Sequence, residues 1–255
     1  MSKAAELANL IGNINAGGGG VNRNVIINGA MNVAQRGTSS TGLGASEVYA
    51  TVDRFAMAGA ATDGRLTATQ DSSAPSGFAN SLKLDCTTAD TSIASTEIFT
   101  IQHKIEGQNV QSFAKGTSDA KPFAVSFYVK GNASATYVCE LFDADNSRQI
   151  SKAFNVTTDW TRVELTFPAD TTGAFDDDNA TSLFFVIWLH AGSNYTSGTR
   201  NSSSWAASTT ANRVGSGTTS FFDSTDRTFF LTGVQLEIGQ NPTEFEHEPF
   251  DVTLA

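Results

Sequence analysis

The chain has 255 residues, of which 40% are hydrophobic, 16% are charged and 18 are Phe. This length and hydrophobic content allow one large domain with a substantial core, and aromatic rings at this density are typical of the interior of a β-sandwich. The net charge of −10 argues against nucleic acid as a partner, because phosphate binding needs clustered Lys and Arg.

The N-terminal segment carries the one convincing helical pattern of the sequence, over residues 2–14. Apolar side chains recur there at helical spacing, at Leu7, Leu10, Ile11 and Ile14. A helix of about 13 residues is marginal alone in water, so it should dock onto another surface. The glycine run at residues 17–20 predicts a flexible joint.

We therefore predict that residues 1–22 form an attachment helix with a Gly-rich linker, and that the four apolar side chains contact another protein. The alternative is a helix that caps the open end of the domain that follows. No basic segment followed by an apolar stretch marks a secretory signal peptide here.

From about residue 23 onward the pattern predicts strands, and residues 23–255 are expected to form one body. Apolar and polar residues alternate at 123–130 and at 162–167. Residues 183–189 are apolar throughout, which predicts a central strand covered on both faces. Further strands are predicted at 66–70, 82–86, 98–104, 137–142 and 230–236. With no interleaved helices, this pattern favours an all-β fold, an antiparallel β-sandwich of the jelly-roll type.

The closing strand is predicted to place four side chains on one face: Phe230, Thr232, Val234 and Leu236. Two stretches interrupt the strand pattern. Residues 171–180 contain an acidic run, and residues 191–220 are rich in Ser, Thr, Gly and Asn. A loop as long as the second one is usually functional or disordered.

The long loop supplies the candidate binding residues. Sugar binding needs aromatic rings that stack on a pyranose, with guanidinium and amide groups for its hydroxyls. The loop offers such groups in Tyr195, Arg200, Asn201, Trp205 and Arg213. The alternative, which is slightly favoured, is that the loop packs against a neighbouring subunit, where the same residue types are enriched.

Several motifs resemble a known family. Residues 24–37, NVIINGAMNVAQRG, followed by VDRF at 52–55, resemble the start of phage tail-fibre and appendage domains. The same family ends its sandwich with segments similar to LTGVQLEIG at 231–239 and PTEFEH at 242–247. Between them, QHKIEG, SFYVKG and DWTRVELTF are similar to jelly rolls of carbohydrate-binding modules. The resemblance spans residues 24–250, implies a virion component that assembles as a homotrimer, and transfers no catalytic residue.

No catalytic centre, metal site or cofactor is predicted. His103, His190 and His247 lie in separate segments without ligand spacing, and no G-x-S-x-G sequence frames a serine nucleophile. The two cysteines, Cys86 and Cys139, lie inside predicted strands, where buried free thiols are favoured over a disulfide bridge.

The acidic clusters are expected to be solvated turns. The densest is the run at 176–178, followed by Asp143 and Asp145. The alternatives are a pair of carboxylates that cleaves polysaccharide and a structural Ca²⁺ site.

The sequence as a whole predicts a non-enzymatic phage virion protein, either a tail-fibre or an appendage subunit. It would be located in the virion, attach to other virion proteins through its N-terminal helix, self-associate as a homotrimer and contribute to host adhesion. The alternative function is a carbohydrate-recognition module that binds host surface glycan directly. The longest apolar stretch, at 183–189, is too short to cross a bilayer, so no membrane insertion is expected.

Overall fold

The computed structural model describes residues 23–248 together with Lys3. The described residues form two antiparallel β-sheets that pack face to face, so the predicted all-β sandwich is confirmed. The helix predicted over residues 2–14, with its four apolar side chains, lies outside the described residues. None of the helices in the described range is long or apolar enough to span a membrane.

Thirteen strands follow one another along the chain: β1 Ser39–Leu43, β2 Glu47–Val48, β3 Phe55–Ala60, β4 Arg65–Asp71, β5 Ser81–Thr88, β6 Ile98–Glu106, β7 Phe123–Gly131, β8 Ala135–Asp143, β9 Arg148–Val156, β10 Thr161–Phe167, β11 Thr181–Ala191, β12 Ala206–Ala207 and β13 Thr228–Ile238. The short helix α1 is Ser193–Thr196, and 3₁₀ turns lie at Gly107–Asn109, Gln111–Phe113, Thr210–Asn212 and Phe221–Asp223. Every strand predicted from the alternation pattern is present.

The strands are arranged in a six-stranded sheet with the order β1-β4-β5-β13-β7-β10 and a seven-stranded sheet with the order β12-β9-β8-β11-β6-β3-β2. The apolar strand β11 is the fourth of seven, between β8 and β6. Its side chains Phe185 and Ile187 face the core between the sheets, whereas Val186 and Trp188 belong to a second buried cluster on the outer face. The prediction of a central strand covered on both faces is therefore confirmed.

The core between the sheets is rich in aromatic rings. Phe127 of β7 meets Phe154 of β9 and Phe185 of β11, with ring centroids 5.0 and 6.1 Å apart. Tyr137 of β8 meets Phe229 of β13 edge to face at 5.6 Å. Such edge-to-face pairs stabilise the packing beyond the area that they bury, and here they join one sheet to the other.

The two cysteines confirm the sequence-based prediction. Cys86 and Cys139 are both buried, and neither forms a disulfide bond. Burial raises the pKa of the Cys86 thiol to about 11, an effect that the hydrogen bond to the Thr88 carbonyl only partly offsets. The thiols therefore behave as small apolar side chains of the core.

Strand β13 departs from the predicted alternation. Gly233 has a φ of 62°, and the pairing of β13 with β7 shifts at this point. Such a bulge adds one residue to the strand and reverses which side chains face inward. As a result Val234 and Leu236 face the core, whereas Phe230 and Thr232 lie on the outer face. The prediction that all four share one face is wrong.

The first and last segments of the described chain are bonded to each other in what we call the terminal clasp, residues 23–29 with 234–246. The side chain of Asn24 donates to the carbonyl of Val234 at 3.1 Å and accepts from the amide of Leu236 at 3.0 Å. The carboxylate of Glu246 accepts from the amides of Arg23 and Asn24 at 2.7 and 3.1 Å. The clasp joins the two segments that carry the family resemblance.

Candidate functional site

The long segment after β11 is folded back onto the outer face of the seven-stranded sheet. The carbonyl of Asn201 accepts from the amide of Ser151 in β9 at 2.8 Å, and the carbonyl of Tyr195 accepts from the amides of Val214 and Gly215 at 3.2 and 3.1 Å. Val214 is buried against the outer side chains of β8 and β11. The loop is therefore an ordered cover of its own sheet.

A buried ion pair anchors this loop to the sheet. Glu140 of β8 is fully buried on the outer face, and its carboxylate oxygens accept from Nε and Nη2 of Arg213 at 2.9 and 2.8 Å. Nε1 of Trp188 donates to the same carboxylate at 2.7 Å. These three donors satisfy the carboxylate, which is what allows a charge to be buried at this position.

The Arg213 guanidinium lies over two rings of the sheet. Its Cζ is 4.7 Å from the ring centroid of Phe142 and 4.9 Å from that of Trp188. Tyr195 packs on Trp188 with ring centroids 5.3 Å apart, and Phe184 meets Phe142 edge to face at 6.1 Å. We call Phe142, Phe184, Trp188, Tyr195 and Arg213 the aromatic face. It is brought together by the pairing of β8 with β11, in which Phe184 lies opposite Phe142.

The aromatic face combines partly exposed rings with charged groups. Phe142, Phe184 and Tyr195 are partly exposed. Lys104 lies beside them, with its Nζ 5.6 Å from the Phe184 centroid and bonded to Glu47 Oε1 at 2.6 Å. Fixed apolar surface with a few well-placed polar groups is the usual composition of a small-molecule binding site.

Two of the five loop residues predicted to bind a glycan or a subunit belong to this face, Tyr195 and Arg213. Trp205 does not, and this corrects the expectation that it is exposed. It is only 7% exposed, its ring centroid is 5.4 Å from that of Phe123, and its Nε1 donates to the carbonyl of Pro168 at 2.9 Å. Because its ring is packed in the core, Trp205 offers no surface on which a sugar can stack.

The other two predicted residues hold the loop in place. Nε of Arg200 donates to the carbonyl of Val214 at 2.6 Å, and Asn201 contributes its backbone carbonyl to the contact with β9. These intrachain contacts account for their position, and contact with a glycan or a second subunit stays a prediction for both.

Phe142, Phe184 and Trp188 were not among the residues predicted from the sequence. A signal for Phe184 and Trp188 was present, since an apolar strand with two covered faces has side chains on its second face as well as on the core face. Phe142 joins them through the pairing of β8 with β11. The acidic run at 176–178 is exposed, as predicted. Asp143 accepts from the amide of Asn146 at 3.0 Å, in the turn predicted for it, but its side chain is fully buried.

Neither a protein-family model nor a curated protein sequence matches the chain. Among solved structures, it is similar to the enzymatically active domain of tailspike protein 4 of bacteriophage CBA120, with 11% identity and a TM-score of 0.42 over 85% of this chain and 21% of that one. It is similar to a xylan-binding domain of carbohydrate-binding-module family 22, with 12% identity and a TM-score of 0.39 over 82% and 99%. It is also similar to the family 11 carbohydrate-binding module of Clostridium thermocellum, with 12% identity and a TM-score of 0.36 over 82% and 98%. TM-scores at this level carry no argument about function, which has to come from the site itself.

Proposed function

We propose that this chain is a non-enzymatic adhesion protein that binds surface glycan through its aromatic face. The observation that carries the proposal is the fixed position of Arg213, which Glu140 holds with two hydrogen bonds over the rings of Phe142 and Trp188. A guanidinium presents five N–H donors, so donors not used by Glu140 can serve the hydroxyls of a sugar.

The chemistry of the face fits a pyranose ring. A sugar has an apolar C–H face and a rim of hydroxyls. The partly exposed rings of Phe184 and Tyr195 pack on Phe142 and Trp188, the two rings beneath Arg213, and provide apolar surface next to the guanidinium. Because the buried Glu140 fixes Arg213 before any ligand binds, little conformational freedom is lost on binding.

A glycan array with the intact chain tests the proposal, and isothermal titration with the best ligand measures its affinity. Replacement of Tyr195 or Phe184 by Ala should weaken binding by about 1–3 kcal/mol, if sugar stacking resembles the stacking of bases on aromatic side chains. This corresponds to an increase in Kd of about fivefold to more than a hundredfold.

Trp160→Ala is the matched control, because Trp160 is a partly exposed ring on the outer face of the other sheet, packed on Phe230 at 5.9 Å. It should leave the affinity unchanged. A blank array for the intact chain would end the proposal. Binding that is lost in Trp160→Ala and kept in Tyr195→Ala would assign the site to the opposite face.

We also propose that the protein is a phage tail-fibre or appendage subunit of jelly-roll type, a homotrimer attached to the virion through residues 1–22. The terminal clasp favours this role, because it joins the segments that resemble this family and places Arg23, the residue that follows the attachment segment, beside Glu246. The attachment residues on this proposal are Leu7, Leu10, Ile11 and Ile14.

Light scattering should give about three times the mass of 26.9 kDa for the full chain. A chain without residues 1–20 should keep its Tm to within a few degrees and be lost from assembled particles. A monomer at micromolar concentration contradicts the trimer, and truncated protein at normal copy number on particles contradicts attachment through this segment.

A further inference from the structure

Three buried side chains with metal-ligating atoms meet where β11 ends: Asp90, Glu97 and His190. One ligand atom of each lies within 4.8 Å of the other two, and all three residues are buried. Nε2 of His190 is 3.1 Å from Oε2 of Glu97. Spacing along the sequence could not show this group, because the pairing of β6 with β11 is what brings His190 opposite Phe99 and next to Glu97.

The imidazole is oriented from its far side. Nδ1 of His190 is 2.7 Å from Oγ of Ser220, which leaves Nε2 directed at the carboxylates. The ring also packs edge to face on Phe222 at 5.4 Å. A metal-bound imidazole usually engages its other nitrogen with a second group that fixes the ring and its tautomer, and Ser220 is in that position.

Both carboxylates are oriented in the same way. Oδ2 of Asp90 accepts from Oγ1 of Thr62 at 2.7 Å and from the amide of Asp63 at 2.8 Å. Oε1 of Glu97 accepts from the amide of Ala94 at 2.8 Å, while its Oε2 faces His190. Each of the three side chains is therefore held by contacts outside the group.

The group carries negative charge without a fixed cation. Within residues 23–248, neither Asp90 nor Glu97 forms an ion pair with Lys or Arg; the charged partner available is His190. Because buried carboxylates without a cation are costly, a divalent ion would be favoured here.

We propose that Asp90, Glu97 and His190 bind a Zn²⁺ ion that ties the loop between β5 and β6 to the end of β11. Zinc takes imidazole and carboxylate ligands at about 2.0–2.2 Å in tetrahedral geometry, which separates ligand atoms by about 3.4 Å. The His190 to Glu97 distance of 3.1 Å is close to this separation, the ligand atom of Asp90 lies within 4.8 Å of both, and a water would be the fourth ligand. Calcium is disfavoured, because it takes six to eight oxygen ligands.

The test uses the full chain, stripped with chelator and titrated with Zn²⁺ by calorimetry, with the bound metal counted by mass spectrometry after dialysis. We expect one Zn²⁺ per chain. At a free concentration about a hundredfold above Kd, Tm should rise by about 5–10 °C. His190→Gln should weaken Zn²⁺ binding at least tenfold. His247→Ala, which removes an exposed histidine, should not.

Two results would overturn the proposal. One is wild-type chain that retains no Zn²⁺ and gains no thermal stability from it, a result that needs no variant and so holds even if His190→Gln does not fold. The other is a Ca²⁺ titration that raises Tm equally in the wild type and in His190→Gln, since the imidazole would then not be a ligand.

Discussion

Replacement of Lys115 tests whether a buried ion pair contributes more to the free energy of unfolding than an exposed ion pair does. Its side chain is fully buried, and its Nζ donates to Oδ2 of Asp143 at 2.5 Å and to the carbonyls of Thr172 and Gly173 at 2.9 and 2.7 Å. Nζ is also 3.2 Å from Oδ2 of Asp170. In Lys115→Met a similar volume is kept, but the fully buried Asp143 loses its cation.

Loss of one partner from a buried ion pair typically lowers the free energy of unfolding by about 3–5 kcal/mol. For a domain of this size that corresponds to a fall in Tm of about 6–20 °C. Asp170 should be affected less, because Arg148 still donates to both of its oxygens at 2.7 and 2.9 Å. Most of the loss should therefore come from Asp143.

Equilibrium unfolding in urea measures the effect, with Lys104→Met as the matched control. Lys104 and Glu47 form a pair of similar length, 2.6 Å, but their side chains are 29% and 42% exposed, and such surface pairs contribute about 0–1 kcal/mol. The double variant Lys115→Met with Asp143→Leu should recover much of the loss, since no charge is then left unpaired. If Lys115→Met costs no more than Lys104→Met, the argument from burial is refuted.

Three further predictions concern the sheet, the clasp and the loop. Burial lowers the pKa of His103 from 6.5 to about 4, so between these pH values the unfolded chain binds a proton that the folded chain does not. The contribution of neutral His103 to the free energy of unfolding is therefore fully present above pH 6.5 and is lost as the pH falls towards 4. Between pH 7 and pH 5 this contribution falls by about 2 kcal/mol. Urea unfolding of the wild type at the two pH values should show this decrease, and urea unfolding of His103→Gln should not. In Gly29→Ala the new Cβ would lie 2.1 Å from the Val234 carbonyl oxygen, so amide exchange across the terminal clasp should accelerate, and unchanged exchange would contradict the clasp. Arg213→Lys keeps the charge but cannot form the paired bonds to Glu140, so limited proteolysis should cut residues 191–220 faster than in the wild type; equal rates would mean that the ion pair does not hold the loop.

The sequence by itself determined the fold class and the position of most strands. Alternation along 123–130 and 162–167, and the apolar run at 183–189, are local patterns, and a pleated strand with one or two covered faces has to show them. They correspond to β7, β10 and β11. The two buried cysteines and the exposed acids at 176–178 followed from the same local signals.

Tertiary structure decided which side chains meet and which are exposed. Gly233 takes a positive φ and reverses the faces of β13, a change that no alternation rule contains. Trp205 is buried in the core, although its Ser-rich surroundings suggested an exposed ring. Arg213 contacts Glu140, and His190 contacts Glu97. The members of each pair are far apart in the sequence, and strand order and register bring them together. Periodicity is a local property of the chain, whereas these contacts depend on how distant strands pair, and for that reason the site emerged only from the folded structure.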